Sequence, residues 1–133
     1  MEHDELTEWL FANSGPILRY RIAVDLLDLP DSESEILRRE SLATSEVQRW
    51  LENLEKSRNI HGSKDTDAEN ALAKLLDYGF SCDLPAIYQK IHQFLNSPLK
   101  TWDSLVLLPF LLRAGASDHP LVLTWLENRV EKL

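Results

Sequence analysis

The sequence predicts an all-α fold of stacked helical hairpins, an α/α superhelix or partial toroid of about eight helices. Three observations predict it. Leucine dominates the composition, with Glu, Ala and Arg around it and only 4 Gly in 133 residues. These side chains lose little freedom on a helix, whereas long β-branched runs, the usual mark of a strand, are absent. Apolar residues recur at i, i+3, i+4 and i+7 along most of the chain. Finally, Gly79 and Gly115 stand 36 residues apart, and each is followed by an acidic residue (Asp83, Asp118) and then a proline (Pro85, Pro120). A glycine that closes one helix and a proline that opens the next are what a repeated helical hairpin needs.

The elements follow in order. Asp4 can cap a first helix carrying Leu6, Trp9 and Leu10, which "NSGP" at 13–16 breaks. A second helix over about 16–28 has two apolar stripes, Ile17, Tyr20, Val24, Leu27 and Leu18, Ile22, Leu26. Apolar on both sides, it is expected to be an inner helix. Ser32 with Glu35 and Ser45 with Gln48 have capping-box spacing, the first before a short helix around Ile36 and Leu37. Val47, Trp50, Leu51 and Leu54 form the next stripe. Residues 57–66 are the most polar stretch and read as the longest loop.

The first clear hairpin carries Ala71, Leu72, Leu75, Leu76, then Ile87, Tyr88, Ile91, Phe94 and Leu95. The second carries Leu105, Leu108, Leu111, Leu112, then Val122, Trp125, Leu126 and Val130, with Pro109 inside its first helix. We expect one helical-repeat domain over 1–133, with degenerate hairpins over 4–56 and two clearer repeats over 67–133. A hairpin cannot bury its apolar face alone, so neighbours stack.

Composition narrows the functional classes. The formal net charge is −8, which repels a phosphate backbone and argues against nucleic acid. The longest apolar run, "LVLLPFLL" at 105–112, is eight residues, against about 20 needed to span a bilayer. Cys82 is the only cysteine, and the start Met-Glu-His-Asp-Glu does not read as a signal peptide. The expected location is the cytoplasm.

"ILRYRIAVDLLDLP" at 17–30, "SEVQRWLENL" at 45–54 and "ALAKLLDYGFSCDLPAIYQKIHQFL" at 71–95 resemble a family of uncharacterised bacterial proteins similar to the α/α-toroid class. That class includes terpenoid cyclases and protein prenyltransferases. The resemblance covers about two-thirds of the chain and implies an apolar, isoprenoid-like ligand. The link "NSPLKTWDS" at 96–104 keeps Trp102 but lacks the glycine of the cyclase motifs. At most four hairpins fit in the chain, so an open arc is implied rather than a closed ring.

Several residues are candidates for chemistry. Asp65 and Asp67, in "HGSKDTDAEN" at 61–70, resemble the acidic motif that protonates substrate in some cyclases, although Ala68 stands where a third acid would be. The competing reading is structural: Thr66 and Glu69 form a capping box, and the two aspartates favour the positive end of a helix. The prenyltransferase resemblance implies a zinc set of one Asp, one Cys and one His, for which Asp67 (or Asp65), Cys82 and His92 (or His61) are the candidates. No two of them have the close spacing of a typical zinc motif, and no cofactor is expected. His119 beside Asp118 has the form of an acid–base pair or of a helix cap. Trp102, Tyr20, Arg19 and Arg21 are candidates for ligand contact, with Asp25 placed to pair with Arg21.

The expected function is a non-catalytic module that binds a protein partner or a second copy of itself. The alternative is a cyclase- or prenyltransferase-like protein that holds an isoprenoid or another apolar small molecule.

Overall fold

The computed structural model describes residues 2–27, 29–97, 101–115, 123 and 127. Seven helices are described and, among these residues, no strand: α1 Glu2–Asn13, α2 Pro16–Asp25, α3 Asp31–Leu42, α4 Ser45–Lys56, α5 Ala68–Asp77, α6 Pro85–Leu95 and α7 Thr101–Arg113. Of the expected eighth helix, Asp118, His119, Val122, Trp125 and Val130 lie outside the described residues, while Leu123 and Glu127 are helical. No described helix is long and apolar enough to cross a membrane. The chain divides into two compact units, residues 1–49 and 50–133, the boundary falling inside α4.

In the first unit α2 packs against α1 and α3. Pro16 sits at the start of α2, where its missing N–H is no loss. Only one side of α2 is buried, through Tyr20, Ile22 and Ala23. Leu18 is 52% exposed and Val24 50%, so the inner helix expected from its two apolar stripes is covered on one face only. Arg21 does pair with Asp25, at 2.8 Å, but on the surface.

Three caps differ from the sequence expectation. α1 begins at Glu2, so Asp4 is inside it. α3 begins at Asp31 after Pro30, which leaves Ser32 within its first turn. At α4 the capping residue is Thr44, one position before Ser45: its hydroxyl accepts the Val47 amide at 3.3 Å. Gln48 turns instead to the Leu42 carbonyl.

Ser41 is fully buried and its hydroxyl has no hydrogen-bond partner. An unpaired buried hydroxyl is destabilising. Ser41→Ala is therefore expected to leave stability unchanged or raise it by up to about 1 kcal/mol. Urea unfolding checks this, and a loss of more than about 1 kcal/mol would show that the hydroxyl has a role.

The second unit is better packed. Trp50 and Leu54 of α4, Ala71, Leu72, Leu75 and Leu76 of α5, and Ile87, Ile91 and Phe94 of α6 are buried. These belong to the expected stripes. In α7 the buried residues are Leu107, Leu111 and Ala114, while Leu105 and Leu112 are half exposed; of the expected stripe Leu111 alone is buried, and the buried face is turned toward Leu107. α7 runs on through Pro109. The proline and Leu105, whose carbonyl loses its donor, are both exposed, so water can serve that carbonyl.

Helix ends α5 and α7 use one device. Gly79 has φ 99° and Gly115 φ 79°, the left-handed conformation that costs glycine least. At α5 the Phe80 amide donates to the Leu75 carbonyl and the Gly79 amide to that of Leu76, a Schellman motif. At α7 the Gly115 amide donates to Leu112. The two helices touch. Arg113 meets Asp77, 36 residues earlier, at 2.9 Å, and the Cys82 amide donates to the Ala114 carbonyl at 2.9 Å.

Candidate functional site

The acid-rich stretch at 61–70 lies in the second unit, in the loop between α4 and α5. A helix start leaves its first amides without partners. In α5 they are met from afar: Ala68 donates to the Asn59 carbonyl and Glu69 to that of Ile60, both at 2.9 Å. The loop therefore folds back over the helix start, and buried Ile60 anchors it. Asp67 is the N-cap residue but makes no side-chain cap bond. The Thr66–Glu69 capping box is thus replaced by main-chain acceptors, which leaves the side chains for another task.

That task is holding the loop. Asp67, 6% exposed, accepts the Lys64 amide on Oδ2 at 2.9 Å. Glu69 Oε1 accepts the Gly62 amide at 3.0 Å and meets His61 Nδ1 at 2.8 Å. Asn70 donates from Nδ2 to the carbonyls of Gly62, 2.9 Å, and Lys64, 2.8 Å. Three polar side chains at the head of α5 thus grip the turn 61–64. Asp65 and Thr66 are exposed. Sequence reasoning missed Asn70 and Gly62. The only signal for Asn70 was an amide beside Glu69, able to donate where the acids only accept.

Asp67→Ala should strand the Lys64 amide and cost about 1–2 kcal/mol, while Asp65→Ala should stay within about 0.5 kcal/mol. Equal effects in chemical unfolding would contradict this division of labour.

The other candidates are dispersed. Cys82 sits half-buried in the α5–α6 turn. His92 is exposed on α6 and stacks on Tyr88, centroids 6.0 Å apart. Among the described residues no three of His, Cys, Asp and Glu come together where they could hold a metal ion, so Asp67, Cys82 and His92 are not gathered. Tyr20 is buried. The Arg19 guanidinium lies over the Phe11 ring at 4.9 Å, and its Nε has no acceptor. The side chain of Trp102 lies outside the described residues. In the first unit an open depression of about 370 Å³ lies between residues 15–18 and 44–46, without an aromatic side chain.

Lys90 is a buried cation. Its Nζ donates to the Glu55 carbonyl at 3.0 Å, in the last turn of α4, and lies 5.4 Å from the Phe94 ring centroid. Burial pushes its pKa below 10.5; the Glu55 carboxylate opposes the shift and Arg58 adds to it. The folded state thus releases this proton before the unfolded state does. Stability is expected to rise with pH between the lowered value and 10.5, and to be flat in this group below it. Lys90→Met should remove that rise when unfolding free energies of the two proteins are compared at alkaline pH. An identical pH profile would refute it.

Comparison with known proteins supplies no relative: no family model matches the chain, nor does any curated protein or solved structure.

Proposed function

We propose that this chain is a non-catalytic helical-repeat module that binds another protein or a further copy of itself. The observation that carries the reading is the uncovered apolar surface of the first unit. Leu6, Trp9, Leu18, Val24, Leu26 and Ile36 are each half or more exposed there, while among the described residues Tyr20, Ile22, Leu37 and Val47 are its buried large apolar side chains. Where exposed apolar side chains adjoin, they mark an interaction site. The stacking of hairpins is supported by the Asp77–Arg113 pair between positions one repeat apart and by the Cys82–Ala114 main-chain bond. The acids of the loop, bound to their own backbone, support a structural task rather than proton transfer.

Thermal melts with zinc, magnesium or a prenyl diphosphate test it. A ligand at 100 times its dissociation constant stabilises by about 2.7 kcal/mol. The module reading expects no shift with any of the three. A shift that Asp67→Asn or Cys82→Ser abolishes would replace it with a terpenoid-cyclase- or prenyltransferase-like protein.

A further inference from the structure

α2 presents an outward face that matches itself. Ile17, Leu18, Arg21, Val24 and Asp25 share one side of the helix by the 3.6-residue period. They lie opposite buried Tyr20, Ile22 and Ala23. Leu18 and Val24 are about half exposed, and Leu26, just past the helix end, is 59% exposed. Between these apolar residues sits the Arg21–Asp25 pair, with side chains 36% and 44% exposed.

We infer that this face of α2 docks antiparallel on the same face of a second copy of the chain, about a two-fold axis near the level of Ala23. The proposal rests on the module reading and names its partner. Charge decides the occupant. One turn separates Arg21 from Asp25, so an antiparallel copy sets each arginine against the other copy's aspartate. Four alternating charges result where a parallel copy would oppose like to like. The same operation brings Leu18 toward the C-terminal end of the other copy's α2, near Leu26. A two-fold contact requires this self-complementarity. Leu18, Val24 and Leu26 are each half or more exposed, and covering them supplies the apolar part of the contact. Each partner of a standard interface buries about 800 Å², so the contact extends beyond these three side chains.

Sedimentation equilibrium of the full chain over a wide concentration range tests this. A monomer–dimer equilibrium is expected, and Val24→Glu should raise its dissociation constant at least about tenfold. Arg21→Asp should weaken it too, by setting four acids together, and adding Asp25→Arg should restore it, since the alternation returns with signs exchanged. Circular dichroism shows that each variant is folded, which surface positions of half exposure permit. Monomers at every concentration, or a dimer indifferent to Val24→Glu, would overturn the proposal. So would a charge-exchanged double variant as weak as the single one. A purely monomeric chain whose melts ignore zinc, magnesium and prenyl diphosphate would sink the second copy while sparing the module. A ligand-dependent melt would sink the module itself.

Discussion

Phe80→Ala is expected to cost about 3–5 kcal/mol. Phe80 is 2% exposed and follows Gly79 at the end of α5. Its amide closes the Schellman motif on the Leu75 carbonyl, and in that motif the side chain after the glycine packs back on the helix. Alanine keeps the main-chain bond and removes the ring, so the loss reads packing alone. The same turn leads to Cys82, whose amide reaches Ala114. The variant should therefore loosen the contact between the α5 and α7 ends as well. Urea unfolding followed by tryptophan fluorescence measures it, and a loss below about 1 kcal/mol would mean that Phe80 is not a core residue.

Gly62→Ala is expected to cost about 2–3 kcal/mol, for a reason unrelated to cavities. A methyl group at Gly62 would lie 2.0 Å from Asp67 Oδ2. That oxygen is held by the Lys64 amide, so it cannot simply swing away. Either Asp67 leaves its place and the Lys64 amide is stranded, or the turn opens and Glu69 and Asn70 lose Gly62. The double variant Gly62→Ala, Asp67→Ala should cost less than the sum of the two single variants, because the clash disappears with the carboxylate. Additive losses would show that the methyl group meets something else.

Helix existence was legible in the sequence because glycine and proline act locally. Gly79, Gly115, Pro16 and Pro85 mark boundaries through their own backbone preferences, and the structure uses all four as read. Caps were less legible. Capping-box spacing occurs wherever a small polar residue precedes an acid or amide by three. The real acceptors at α5, Asn59 and Ile60, each lie nine residues before their donor. The stripe of α7 was caught only at Leu111, because "LVLLPFLL" is apolar all round and its period is ambiguous. The 36-residue register resolves it, carrying Ala71 and Leu75 onto Leu107 and Leu111, all four buried. α2 shows a different limit. Two apolar stripes state that a helix is made to be covered on both sides, but not that the covering belongs to the same chain.

For the acid-rich stretch, its place in a loop and the aptness of its acids for a helix start were readable. Which donors the acids would meet was not, because those amides belong to a turn whose path depends on buried Ile60 and on the grip of Asn70.

The turn at 61–64 also bears on how the chain withstands proteases. Exposed polar stretches between helices are the usual sites of nicking and of tolerated insertion. This one has its main chain tied by Asp67, Glu69 and Asn70 and its entry tied to the first amides of α5. A protease must draw extended chain into its cleft, so cutting here is expected to require these ties to open first. A polar loop that looks cuttable is thereby made as durable as the helix it precedes.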